Sequence, residues 1–139
     1  MNTSLTIATM EKNKAYELID RHLDKEFLDR VNVITIKNKD EMSTLLSRTE
    51  FGFLLRSPAP LNAVASPIKF GEYISCGVAV IISPGVGDYS ELVSTTNAGK
   101  ILDHSTNNCV NLEHNQTAIE QLYMSVFDSK KYVKFYENV

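Results

Sequence analysis

Short apolar runs alternate along the chain with stretches whose apolar residues keep helical spacing. The runs are too short for anything but strands, and they read LTIAT from Leu5, VNVITI from Val31, FGFLLR from Phe51, VAVIIS from Val78 and GKIL from Gly99. The helical stripes between them include Ala15, Leu18, Ile19 and Leu23, and then Met42, Leu45 and Leu46 after a start signal at Asp40. This alternation predicts a βαβα series.

Several of these strands are apolar at successive positions rather than at every second one. Continuous apolarity is typical of strands that are buried on both faces, as in parallel sheets covered by helices. We therefore predict an α/β fold, a doubly wound, Rossmann-like parallel sheet of about five strands with helices on both faces. The longest loops are expected at 57–66 and 103–113, and closing helices at 115–127 and 129–137.

The stretch SPIKFGEYISCG carries the clearest helix signals in the chain. Ser66 suits an N-cap, and Pro67 suits the first helical position because its fixed φ is helical and its missing N–H would have no partner there. Gly77 can adopt the left-handed conformation that ends a helix. A short helix over 67–76 is the prediction.

One carboxylate in this helix lies off its predicted packing face. Phe70, Tyr73 and Ile74 recur at i, i+3 and i+4, so they are expected to face the core. Glu72 lies about 200° around the helix from Phe70, at roughly 100° per residue. Its side chain therefore points either to water or to a ligand.

Composition and charge narrow the function classes. The chain has 139 residues, 43% hydrophobic and 22% charged, which is typical of one globular domain spanning residues 1–139. With a net charge of −3, the chain lacks the excess of basic residues that is typical of a nucleic-acid binder. No apolar run reaches the ~18 residues of a membrane span, and MNTSLTIATM lacks a leader pattern. We expect a cytoplasmic protein with no transmembrane segment and no nucleic-acid partner.

Cysteine and histidine spacing gives no metal or redox motif. Cys76 and Cys109 lie far apart without a C-x-x-C pair, and we interpret them as ordinary buried or half-buried thiols. The three histidines, His22, His104 and His114, have no partner at ligand spacing, which favours surface or loop positions. No metal and no cofactor are predicted.

Two turns deserve scrutiny because ligands of parallel sheets bind outside the carboxyl ends of the strands. One follows the third strand and contains Arg56 and the helix start at Ser66. The other follows the fourth strand, where Gly85 and Gly87 allow backbone to approach a ligand closely. Both turns are expected at the same edge of the sheet.

Two other functions fit the pattern less well. GVGDYS half matches the dinucleotide fingerprint, but its third position is Ser90 and it does not follow a first strand. A phosphoacceptor receiver domain has similar alternation, yet it needs clustered acids after the first strand and an acceptor Asp after the third. Here those positions carry Thr9 and Met10, then Arg56 and Ser57.

The combined motifs resemble a known family. FGFLLR, a loop with Asn62, SPIKFGEYISCGVAVIIS, GVGD and NAGKIL are together similar to the C-terminal, donor-binding domain of GT-B glycosyltransferases of family 4, especially bacterial polysaccharide and capsule types. The specific motifs cover about Glu50 to Leu102. The resemblance implies a nucleotide-sugar donor and transfer of a sugar in polysaccharide or glycan biosynthesis, without a metal.

The resemblance also assigns roles to individual residues. Glu72 is similar in position to the family's second motif glutamate, which holds the ribose hydroxyls of the donor. A carboxylate suits a vicinal diol because it accepts two hydrogen bonds. The backbone from Ala65 to Ile68 would cradle the diphosphate, with Lys69 neutralising it. The implied nucleotide-sugar-binding residues are Arg56, Asn62, Ser66, Pro67, Ile68, Lys69, Glu72, Gly85 and Gly87.

Two departures from the family pattern change the expected activity. The first motif glutamate is replaced by Val64, with Asn62 as the nearest polar substitute. SLTIATMEKNKAYELI looks like the family's second strand and helix, so the first strand, its diphosphate-binding Arg and Lys, and the N-terminal acceptor domain are expected to be absent. No catalytic residue is therefore assigned, and the isolated chain is expected to be inactive.

Two alternatives remain open at this stage. In the first alternative, the chain is a non-enzymatic interaction module, or a subunit of a split glycosyltransferase whose N-terminal domain acts in trans. Alternatively, the same two-domain architecture serves nucleotide-sugar epimerisation, although nothing in SPIKFGEY favours that reaction. An apolar edge strand or face would favour the interaction module.

Overall fold

A computed structural model describes residues 3–63, 67–103 and 111–127 of the chain. The strands and helices, in order, are β1 (Leu5–Ala8), α1 (Lys12–His22), β2 (Val31–Ile34), α2 (Lys39–Leu46), β3 (Phe51–Leu54), α3 (Pro60–Ala63), α4 (Ile68–Ser75), β4 (Ala79–Ile82), α5 (Tyr89–Thr96), β5 (Gly99–Ile101) and α6 (Gln116–Phe127). A 3-10 helix over Lys25–Arg30 precedes β2. The chain divides into two compact units, residues 1–44 and 45–139.

The predicted α/β class is confirmed, and every described strand pair is parallel. The five strands form two sheets, with orders β1-β2 and β3-β4-β5. In the larger sheet Leu54 lies beside Ile82, and Ile82 lies beside Ile101, so the three strands end level with one another. That the whole chain is one domain stays a prediction.

The core of the second unit surrounds the central strand. All four residues of β4 are buried, as its continuous apolarity predicts. On α4, Phe70 and Ile74 are 1% and 2% exposed, while Tyr73 is half-buried and packs at the margin of the core. From α6, Ile119 and Leu122 complete the buried cluster. The apolar stripe of α4 therefore packs as its spacing predicts.

The first unit contrasts with this core. None of the described residues from 3 to 44 is buried, although Ala15 and Ile19 of α1 are partly covered. A two-stranded sheet with α1, a 3-10 helix and the first turns of α2 has little area to bury, which explains the difference. Among the described helices, none combines the length and the apolarity that a bilayer crossing requires.

Local details correct the sequence interpretation in two places. Pro67 is the N-cap of α4 rather than its first helical residue, because its ψ of 120° is extended and its carbonyl accepts from the Phe70 N–H. The predicted loop over 57–66 contains the single-turn helix α3. Gly77 follows the C-cap residue Cys76 of α4 and has a φ of 74°, the left-handed conformation predicted to end this helix.

Several predictions fall outside the described residues: the cap at Ser66, His104, Cys109 and the helix at 129–137.

Candidate functional site

Glu72 stands on the side of α4 that does not face the core. Its side chain is 39% exposed, and its Oε2 accepts a hydrogen bond from Lys69 Nζ at 2.5 Å. Lys69 lies one turn earlier and its side chain is 48% exposed. An ion pair of this exposure stabilises a helix by only about 0.3–0.5 kcal/mol, so the pair contributes little to folding. The structure thus places a carboxylate and an ammonium together on an accessible surface.

The two turns singled out in the sequence meet in the structure. The backbone N–H of Arg56, two residues after β3, donates to Ser83 Oγ at 2.8 Å. Ser83 directly follows β4 and is 1% exposed. Parallel pairing of β3 with β4 brings these strand ends level, which makes the contact possible. The β3–α3 and β4–α5 turns therefore form one continuous edge of the sheet.

Gly85 and Gly87 shape the β4–α5 turn. Both have positive φ, 71° and 48°, a conformation that favours glycine. A Cβ added at Gly85 would have no heavy atom within 4 Å, so the surface above this residue is open. Below it, the Val86 N–H donates to the buried Ser90 Oγ at 2.8 Å. This hydrogen bond within the turn fixes its backbone, while Gly85 stays exposed.

Tyr73 has a polar role that the apolar stripe did not reveal. Its ring lies against Gly52, where an added Cβ would come within 2.7 Å of the ring. Its hydroxyl donates to the Phe53 carbonyl at 3.2 Å. Burial raises the pKa of the Tyr73 phenol above its ordinary value, Lys69 lowers it and Glu72 raises it. A glycine inside the FGFLLR strand is the one sequence signal that an aromatic ring packs closely there.

The raised pKa of Tyr73 predicts a loss of stability at alkaline pH. The folded state holds the phenol proton more tightly than the unfolded state, whose pKa is near 10.0. The stabilisation is therefore complete below pH 10 and is lost as the pH rises through the folded pKa. Urea unfolding between pH 8 and pH 11 should show this fall, and Tyr73→Phe should reduce it. Tyr123→Phe, which removes the hydroxyl of an exposed tyrosine of α6, should keep the wild-type fall. Equal profiles for both variants would contradict the assignment.

The remaining candidates are distributed around α3 and α4. Pro67 is the N-cap of α4, and Ile68, its first residue, is 80% exposed. Asn62 lies in α3, and its side chain, like the whole of Ser66, is outside the described part. Cys76 is half-buried and unbridged. His114 is on the surface, with Nε2 at 2.9 Å from the Gly77 carbonyl.

A large apolar cavity lies in the first unit. It measures about 520 Å³ and is lined from Leu5 to Val31, so none of the candidate binding residues contributes to it. In the described ranges, no group of three His, Cys, Asp or Glu side chains is arranged to hold a metal ion. The candidate binding residues are therefore separate from this cavity.

Comparison with known proteins gives the site no assigned counterpart. The chain matches no protein-family model, and no curated protein is similar enough to count as a match.

Proposed function

We propose that this chain is a nucleotide-sugar-binding domain of a glycosyltransferase, with its ligand at the carboxyl edge of the β3-β4-β5 sheet. The observation that carries the proposal is the contact between Arg56 and Ser83, which joins both candidate turns into one edge. Helix α4, which bears Glu72 and Lys69 away from the core, begins at this edge after β3. Parallel sheets bind nucleotides at such edges.

The chemistry of α4 suits a nucleoside diphosphate. Ribose offers two neighbouring hydroxyls, and a carboxylate can accept a hydrogen bond from each. Oε2 of Glu72 already contacts Lys69, so a diol would share this oxygen or use Oε1. Lys69 would then turn toward phosphate, which lies near the first N–H groups of the helix. The two side chains of the pair thus match the two ends of the ligand.

The affinity should be low because the edge is open. Arg56 and Gly85 are both exposed, and among the described residues no heavy atom lies within 4 Å of a Cβ added at Gly85. A ligand held on such a surface keeps much of its hydration, so we expect a Kd of about 1 mM, or roughly −4 kcal/mol. This domain therefore binds a donor, and sugar transfer is proposed to require an acceptor-binding partner domain.

Titration with UDP, GDP and ADP tests the site. Amide chemical shifts of the full chain should change within residues 56–72 and 83–90 and remain constant in α6. Glu72→Ala should weaken binding about tenfold, the value of one charge-assisted hydrogen bond. The matched control is Glu120→Ala, which removes an exposed helix carboxylate that contacts Gln116 instead.

Three results would count against the proposed function. One is the absence of shifts at several millimolar nucleotide, and another is a response centred on other residues. The third is equal binding by Glu72→Ala and Glu120→Ala. In each case Glu72 would be a solvated helix carboxylate whose role is its ion pair with Lys69.

A further inference from the structure

Tyr73 joins α4 to β3 close to the candidate edge of the sheet. Its ring lies against Gly52, and its hydroxyl donates to the Phe53 carbonyl at 3.2 Å. Phe53 is the penultimate residue of β3, and Arg56 follows shortly after this strand. The tyrosine therefore ties the helix to the end of the strand where the backbone of Arg56 contacts Ser83.

The Phe53 carbonyl is suited to this bond because it points away from β4. The carbonyls of Glu50 and Leu54 accept from the N–H groups of Ala79 and Ser83, on the β4 side. Successive carbonyls of a strand point in alternate directions, so that of Phe53 faces the opposite side of β3. In the described strand order, β3 is an end strand of its sheet. The tyrosine hydroxyl thus supplies a hydrogen bond that pairing with β4 cannot.

Tyr73 also adjoins the charged pair of α4. At roughly 100° per residue, it lies about 60° around the helix from Phe70 and about 40° from Lys69. It therefore stands between the core face and the charged face of α4. Burial raises the pKa of the Tyr73 phenol most, and Lys69 lowers that pKa while Glu72 raises it. The hydroxyl is thus within electrostatic reach of both charges.

The core contacts of α4 and the Tyr73 bond constrain the helix in different ways. Phe70 and Ile74 are buried in the core cluster, and they hold α4 against the sheet. Apolar burial is not directional, so it opposes separation of the helix more than rotation about its axis. A hydrogen bond is directional, and that of Tyr73 lies beside the core face. This bond therefore opposes rotation of α4.

We propose that Tyr73 is a positioning residue of the nucleotide site, an inference that rests on the proposed function. Its bond to the Phe53 carbonyl sets the rotation of α4. In this rotation Lys69 and Glu72 reach a nucleoside diphosphate that lies along the sheet edge at Arg56. Tyr73 acts through these two side chains and does not itself bind the ligand. Without the bond, α4 keeps its core contacts but no longer holds the charged pair in one orientation.

Titration of the full chain with ADP, followed by amide chemical shifts, tests this role. Tyr73→Phe keeps the ring against Gly52 and removes only the hydroxyl. ADP should bind this variant about fivefold more weakly, the value of one hydrogen bond. Without ligand, the carbonyl carbon resonance of Phe53 should shift in the variant, which reports loss of the bond directly. The matched control, Tyr123→Phe on α6, removes the hydroxyl of an exposed tyrosine and should change the affinity less than about twofold.

A double-mutant cycle separates positioning from a loss of stability. In the otherwise wild-type chain, Glu72→Ala should weaken ADP binding about tenfold. In the Tyr73→Phe background, the same substitution should weaken binding only about threefold, because Glu72 is no longer held where the ligand lies. A loss of stability alone would lower the folded fraction with and without Glu72, so the effect of Glu72→Ala would stay about tenfold.

Each other outcome overturns the positioning role in a recognisable way. If the wild type binds ADP at the candidate edge and Tyr73→Phe binds it equally well, the role is wrong and the proposed function stands. The same holds if Glu72→Ala has the same effect in both backgrounds. Unfolding of Tyr73→Phe would assign the hydroxyl to stability alone. Absence of ADP binding by the wild type would overturn the proposed function, and the positioning role with it.

Discussion

Replacing Phe70 by alanine is expected to lower the free energy of unfolding of the second unit by about 3–5 kcal/mol. Phe70 is 1% exposed in the centre of the core, and its ring lies 4.4 Å from that of Tyr89 between centroids. Truncation removes apolar burial and leaves a cavity that the surrounding helices cannot fill completely. Urea unfolding followed by circular dichroism measures the change.

Ile68 gives a control within the same helix. It is 80% exposed, so Ile68→Ala should change the free energy of unfolding by less than about 0.5 kcal/mol. If both substitutions cost the same amount, the assignment of the two faces of α4 would be wrong. The comparison also tests the position of Glu72, which lies off the packing face that Phe70 defines.

Gly99→Ala is expected to be nearly as damaging, with a cost of about 3 kcal/mol. A Cβ at this position would lie 2.0 Å from the Val80 carbonyl oxygen, far inside van der Waals contact. The clash is with backbone of β4, which is buried and paired on both sides, so it cannot move aside cheaply. We expect β5 to separate from β4, with faster hydrogen exchange of the Leu102 N–H that donates to Ile82.

Gly85→Ala separates this steric effect from backbone conformation. Gly85 has a φ of 71° but open space around it, so alanine should cost about 1–2 kcal/mol through the left-handed conformation alone. Hydrogen exchange in β5 should stay as in the wild type. A larger loss for Gly85→Ala than for Gly99→Ala would contradict the close approach of β5 to β4.

Local patterns were sufficient to predict the five strands and the helices α1, α2, α4 and α6, but not α3 or the 3-10 helix over Lys25–Arg30. Every predicted strand lies where its apolar run begins or one residue later, and the spacing of Phe70 and Ile74 gave the buried face of α4. The off-core position of Glu72 follows from the same periodicity. These features depend on residues a few positions apart, whose geometry the backbone of a helix or strand already determines.

Contacts between distant residues needed the tertiary structure. The division into sheets of two and three strands depends on which strand edges pair, and apolar runs do not specify partners. Likewise, the hydroxyl of Tyr73 meets the Phe53 carbonyl only because α4 packs on β3. Arg56 meets Ser83 only because parallel pairing brings the ends of β3 and β4 level. The sequence by itself determined the five strands, the helices α1, α2, α4 and α6, and the apolar stripe of α4. Only tertiary packing decided which polar groups meet at the sheet edge, because those partners lie twenty or more residues apart.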